Sequence, residues 1–236
     1  MSLWNGISSF FFGNGCLACH RVGIPLDPWL CPDCRDELRR LAKSPCQPNP
    51  DVLCLYAMTP LTKSLVYGLK YGNMPGLAGY LVTAAFREPE TLEIIREWGK
   101  KLAFVPVPLH MARMRERGYN QAEKLAFSFA GKTDGIVARA LFRKTFRVSQ
   151  TKLSRSGRAN NVAGAFGWKR RFSWPDGYTP IIVDDVFTTG ATTSACLYAL
   201  EKEGLAGRAK VCTLLREESA TAKIDFAADS STEWNV

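Results

Sequence analysis

The run Asp184-Asp185-Val186-Phe187-Thr188-Thr189-Gly190-Ala191-Thr192 begins inside a strongly apolar stretch, residues 180–186, and leads into a segment with helical spacing. A strand that ends in two acids and passes through small residues into a helix builds an anion site. The unpaired amides of the first helical turn converge, and the helix dipole favours negative charge there. Gly190 lets main chain approach closely. Thr188, Thr189, Gly190, Ala191 and Thr192 would surround a phosphate, with hydroxyl donors beside the amides. The Asp184 and Asp185 carboxylates would repel that phosphate but accept hydrogen bonds from sugar hydroxyls. Together the parts fit a ribose 5-phosphate. Acid pairs and threonine caps are common separately, as ordinary capped turns. The whole ordered string is uncommon by chance.

Cys16-Leu17-Ala18-Cys19 and Cys31-Pro32-Asp33-Cys34 form two CxxC knuckles with eleven residues between them. Each turns two thiolates toward one point, and four close a tetrahedral zinc site of the structural kind. A redox CxxC would open a helix in a thioredoxin-like unit, a pattern absent here. His20 is a reserve ligand. With few apolar residues, the module is expected to need Zn²⁺ to fold.

A second apolar stretch, residues 102–107, is followed by Arg113, Arg115 and Arg117, then by Gly118-Tyr119-Asn120-Gln121. Ligands of α/β sheets sit at the carboxyl ends of strands, so this loop can face the Asp184 loop. Its arginines could clamp a diphosphate bidentately, with Asn120 and Gln121 beside them. The rival is a solvated basic helix start, which the dipole at a helix N-terminus disfavours.

Between Arg139 and Arg171 stand ten Lys or Arg and no acid, interleaved with Phe142, Phe146, Phe166 and Trp168. Arg143, Lys144, Arg147, Lys152, Arg155 and Arg158 suit either of two roles. One is a single-stranded nucleic-acid groove, with charges on the backbone and rings under the bases. The other is a lid over a diphosphate. Ten cations without an acid make a plain solvated face the weaker reading.

These groups need elements to hold them. Residues 52–58, 102–107, 180–186 and 211–215 read as strands. Residues 36–41, 60–70, 77–98 with a break near Pro89, 119–130 and 192–203 read as helices, with Ala122, Leu125, Ala126 and Phe129 sharing one face. Alternation of this kind predicts an α/β fold with a parallel, doubly wound sheet. Residues 43–50 carry three prolines in six positions, the expected linker between a cysteine module at 1–45 and a larger domain at 51–236. The chain of 236 residues is 46% apolar and 22% charged, with net charge +9, favouring phosphate-bearing partners. No Lys or Arg precedes Arg21 and no apolar run reaches about 18 residues, so a cytoplasmic protein with reduced thiols is expected.

The Asp184–Thr192 string resembles the signature that binds 5-phosphoribosyl diphosphate (PRPP) in type I phosphoribosyltransferases. Other blocks narrow the likeness: Val105-Pro106-Val107-Pro108-Leu109, Arg117-Gly118-Tyr119-Asn120-Gln121-Ala122, and residues 150–166 with Gln150, Arg158, Asn161, Val162 and Phe166. With the cysteines from Cys16 onward, nearly the whole chain to Arg216 resembles the ComF family, linked to natural competence, the bacterial uptake of DNA. A departure is the compact N-terminal module, where Cys46 and Cys54 stand in place of further cysteine pairs. The resemblance implies a type I phosphoribosyltransferase-like sheet flanked by helices, with a small N-terminal zinc module. It implies Asp184 and Asp185 on the ribose hydroxyls, residues 188–192 on the 5-phosphate, and Mg²⁺ with the diphosphate. It implies single-stranded DNA and other competence proteins as partners. An active phosphoribosyltransferase acting on a nucleobase or other small acceptor is the alternative, though no general base can be named. A PRPP-sensing transcription regulator would need a duplex-binding helix-turn-helix, which the sequence lacks.

Overall fold

The computed structural model of the chain describes residues 15–144 and 164–217. Within them the chain order is α1 (Pro32–Ala42), β1 (Cys46–Asn49), β2 (Val52–Ala57), α2 (Pro60–Tyr71), α3 (Gly76–Ala85), α4 (Pro89–Glu97), β3 (Leu102–Pro106), α5 (Met111–Arg117), α6 (Gln121–Thr133), β4 (Ile136–Val137), β5 (Leu141–Arg143), β6 (Phe166–Trp168), β7 (Thr179–Phe187), α7 (Ala191–Glu201) and β8 (Lys210–Arg216). Six strands form one sheet in the order β1-β2-β8-β7-β3-β4. Every neighbouring pair is parallel except β1–β2. β5 and β6 pair separately as an antiparallel ribbon.

The central strands are buried on both faces, as near-continuous apolar runs require. Leu53, Leu55, Phe104, Ile181 and Val183 face one core, which α2, α3 and α6 cover with Leu65, Leu77, Leu81 and Phe129. Val52, Cys54, Val105 and Ile182 face the other, covered by α7 through Cys196, Ala199 and Leu200. Helix starts carry their own signals. Thr59 caps α2 in a reciprocal capping box with Thr62 ahead of Pro60. Gly190 opens α7 at φ 76°, a left-handed conformation glycine adopts without strain.

Two expectations shift. Residues 43–50 are not a plain linker, because they contain β1, paired with β2 at the sheet's edge. Pro48 is tolerated there, since an edge strand can lack a ladder donor. The described part of the cysteine module, in turn, packs into the core of the larger domain. Cys16, Leu17, Leu30, Cys31, Leu38 and Ala42 are buried in the same cluster as Leu53, Leu69 and Leu81. Among the described residues no helix is long and apolar enough to cross a membrane.

Candidate functional site

From β3 the chain moves outward to β4, whereas from β7 it turns inward to β8. The loops after β3 and β7 therefore leave in opposite directions. The crevice at their carboxyl ends is the place where open α/β sheets bind ligands. The two strands stay paired to their tips, with Pro106 opposite Val183 and the Val107 N–H donating to Val183 O at 2.9 Å.

Asp184 and Asp185 lie in the last turns of the β7 pleat, and strand alternation sends them to opposite faces. Asp185 is buried and pairs with Lys70 Nζ from the last turn of α2 at 2.9 Å. Its second oxygen, Oδ2, is buried and has no hydrogen-bond partner among the described residues. Asp184 faces the α7 side, and its Oδ1 accepts from the Asp185 N–H at 2.9 Å. Burial, reinforced by the Asp185 carboxylate, pushes the Asp184 carboxyl up to about 7, against the opposing pull of Lys70 and Arg143. A carboxyl poised in this range suits a ligand that brings hydrogen-bond donors, since donors to the anion favour ionisation.

Beyond Phe187 the chain runs through exposed Thr188 and Thr189 into buried Gly190. Thr189 Oγ1 accepts from the Ala191 N–H at 3.4 Å, and Gly190 O starts the α7 ladder by accepting from Ser194 at 2.8 Å. Ala191 and Thr192, both exposed, occupy the first turn. All five residues expected around a phosphate thus stand on one strand–loop–helix junction, at the end where the dipole favours an anion.

The block Arg117 to Ala122 does architectural work around this edge. Gly118 ends α5 at φ 75°. Tyr119 is buried, and its hydroxyl donates to Leu69 O, locking the end of α2 against the start of α6. Asn120 caps α6, its Oδ1 accepting from Ala122 N at 3.0 Å, while its Nδ2 donates to Val107 O at 2.9 Å. The cap therefore pins the β3 tip, and Lys70 is delivered to Asp185 by the Tyr119 lock one residue away. Gln121 is buried with Oε1 unpartnered. The arginines are placed differently from expectation. They sit along α5, with Arg115 and Arg117 in its last turn, where the dipole welcomes cations. Arg113 is exposed and bonded to Glu116 at 2.8 Å. Arg117 lies 4.9 Å over the Tyr71 ring, and its Nε and Nη1 are buried with no hydrogen-bond partner among the described residues.

In the basic run, Arg143 and Lys144 are exposed on and just after β5, with Arg143 stacked 5.5 Å over Phe166. Arg139 finds an acid after all, Glu123 on α6. Arg147, Lys152, Arg155 and Arg158 lie outside the described residues, as do Phe146, Gln150, Asn161 and Val162. Phe166 is buried, and Trp168 packs against Phe172 and Trp174. Phe142 remains exposed.

The sulfurs of Cys16, Cys19, Cys31 and Cys34 all lie within 4.8 Å of one another. A tetrahedron with Zn–S bonds of about 2.3 Å has edges of about 3.8 Å, and Cys19 Sγ and Cys31 Sγ stand 3.8 Å apart. The cluster is capable of holding zinc. Arg21 donates to Cys19 Sγ at 3.5 Å and holds that thiol down at about 6, while burial pushes Cys34 up. His20 occupies the knuckle turn at φ 60° and is exposed, outside the ligand cluster. The second CxxC does open a helix, α1, with Pro32 at its first position. Zinc is therefore favoured over redox work by the four converging sulfurs, not by the absence of a helix.

Lys70 is the site residue that reading the sequence missed. Its signal was a lone cation in the last turn of a helix ending at the same sheet edge as the acids. A family model for the phosphoribosyl transferase domain matches residues 93–236. Among curated proteins, the chain is similar to Competence protein ComFC of Bacillus subtilis (strain 168), at 28% identity over 117 residues. That stretch covers 50% of this chain and 45% of the relative, so the chain spans less than half of the relative's length. The ComF resemblance read from the motifs is supported.

Proposed function

This chain belongs to the phosphoribosyl transferase domain family, and from that premise we propose that it binds PRPP at the crevice between the β3 and β7 tips. Residues 188–192 and the first-turn amides of α7 hold the 5-phosphate. Asp184 and Asp185 accept from the ribose hydroxyls, with Lys70 steadying Asp185. The observation that carries this reading is the junction itself. A buried strand ends in two acids, one with a buried oxygen lacking a partner, and passes through a left-handed glycine into a helix start.

In a transfer, an acceptor atom bonds to the anomeric carbon as the bond from that carbon to diphosphate oxygen breaks. The electron pair leaves with diphosphate, and the acceptor's proton passes to water. Mg²⁺ bound with the diphosphate would neutralise the leaving group. Arg117, with unpartnered donors near the same edge, suits diphosphate oxygens. The acids stabilise the cationic sugar as it forms.

Calorimetry with PRPP and Mg²⁺ tests the site. Wild type binds. The double change Asp184→Asn, Asp185→Asn weakens binding at least about 100-fold, as loss of two hydrogen bonds to charged groups implies. Absence of binding by both PRPP and ribose 5-phosphate would overturn the reading.

A second reading, single-stranded DNA handling during DNA uptake, is favoured by the relative's name and by Arg143, Lys144 and exposed Phe142 on one ribbon. It requires binding of oligodeoxythymidylate that weakens steeply with salt. Binding without diphosphate release in the presence of acceptors would leave PRPP as a ligand of a DNA-handling protein.

A further inference from the structure

The last turn of α2 carries Lys70 to Asp185, yet its own sequence makes a poor helix. Gly68 stands two residues before Lys70, and glycine is among the weakest helix formers. Gly72 closes the turn, its N–H donating to Gly68 O at 2.9 Å. A side chain at position 68 would strengthen the turn but has no room. A Cβ there would lie 3.0 Å from Leu77 Cδ1, 3.2 Å from Leu17 Cδ2 and 3.6 Å from Met74 Sδ. The bare backbone is the seat for these three side chains, and their packing supplies what the glycine lacks in propensity.

Leu17 comes from a distant part of the chain. It lies between Cys16 and Cys19, is buried, and its N–H donates to Trp29 O at 2.9 Å. The knuckle that the four sulfurs close therefore sets its position. Trp29 fits alongside, edge-on to Tyr80 of α3 with ring centroids 5.4 Å apart. Through Leu17 the knuckle bears on one flank of α2, and Lys70 leaves about 200° around the helix toward Asp185. Tyr119 fastens Leu69 O between them. A helix end held this way has two arrangements, seated with Lys70 on Asp185, or frayed with the pair broken.

We propose that Leu17 is a positioning residue for Lys70, so that a zinc-loaded knuckle fixes the last turn of α2 and, through it, the Asp185 carboxylate at the crevice. Small metal modules of this kind fold when their thiolates share an ion, so metal occupancy decides whether Leu17 is seated. Coupling between two sites is reciprocal, and whatever firms the Asp185 end also holds zinc more tightly. The consequence for a sugar phosphate rests on the PRPP reading. The link from knuckle to helix end does not.

Hydrogen exchange on the zinc-saturated full chain, read by mass spectrometry on peptides covering residues 68–72, tests that link directly. Leu17→Ala empties a buried contact and speeds exchange in this turn at least about 10-fold, with zinc content and near-ultraviolet circular dichroism checking that the knuckle persists. Leu17→Met refills the contact and restores slow exchange. Gly68→Ala probes the same contact from the helix side, should Leu17→Ala fail to fold. It touches no ligand, yet zinc passes to a competing chelator at least about 5-fold more readily, the low end of coupling between sites. In calorimetry with PRPP and Mg²⁺, Leu17→Ala weakens binding by a similar factor, and has no further effect once Lys70→Met has removed the pair. Equal exchange in Leu17→Ala and wild type, or unchanged zinc retention in Gly68→Ala, would overturn the proposal. So would an equal loss of PRPP affinity with and without Lys70, the mark of general loosening. Exchange and zinc retention that follow expectation in a chain that binds no PRPP defeat the sugar-phosphate reading alone.

Discussion

At the cysteine knuckle four sulfurs stand within 4.8 Å of one another, a ligand set that one ion completes. At the β7 edge, Asp185 Oδ2, Gln121 Oε1 and the Nε and Nη1 of Arg117 are buried with nothing to bond. Buried polar atoms are nearly always satisfied in folded proteins, so these three side chains stand out, although Arg35 Nε in the cysteine module and Thr91 Oγ1 share the condition. The knuckle closes on itself and supports architecture. The rim stays chemically open, and its supports, Tyr119, Asn120 and Lys70, come from the surrounding helices. Closure and openness thus separate the part that makes the fold from the part that uses it.

Removing zinc should break this contrast most severely. The knuckle shares its core with Leu69 and Leu81, so its collapse reaches α2 and α3. Structural zinc contributes on the order of 10 kcal/mol of apparent binding energy. Chelation, or Cys31→Ser, is therefore expected to lower the melting temperature by well over about 10 °C. A melt in which only a small local transition moves would show the module to be an independent appendage.

A smaller effect is expected at the rim. Lys70→Met leaves Asp185 as a buried charge without its partner, a change that costs about 3 kcal/mol for enclosed pairs. Lys70 keeps some solvent contact, so roughly 2 kcal/mol is expected in denaturant unfolding, with Asp185→Asn restoring much of it. Equal stability of Lys70→Met and wild type would mean the pair is incidental.

The rim also makes stability depend on pH. Asp184 holds its proton up to about 7 in the folded chain, against 3.8 when unfolded. Between these values the folded state binds more protons, so stability is greatest at the acid end and falls as pH rises through the window. The difference between wild type and Asp184→Asn, measured by denaturation from pH 4 to 7.5 at constant zinc, should carry this slope. A flat difference curve would place the carboxyl in open water.

The sequence made some of this plain. The apolar runs gave the central strands, and the order of Asp184 to Thr192 gave the strand–loop–helix junction, because both signals are local. The two CxxC pairs read correctly for the same reason. What escaped depends on distant contacts. Lys70 reaches Asp185 only because Tyr119, fifty residues further on, fastens the end of α2. Opposite faces for Asp184 and Asp185 follow from β7 continuing to Phe187, beyond where the apolar pattern stops. The prolines of residues 43–50 read as a linker because pattern alone cannot tell an edge strand from a connection.

The rim strands have a bearing on how the protein behaves when crowded. On one flank β1 has four residues and contains Pro48, and on the other β4 has only two. Among the described residues, neither flank of the sheet offers a second molecule a run of open amides and carbonyls long enough to zip onto. Concentrated preparations should therefore stay dispersed and resist fibre growth, even though the interior strands are among the most apolar stretches of the chain.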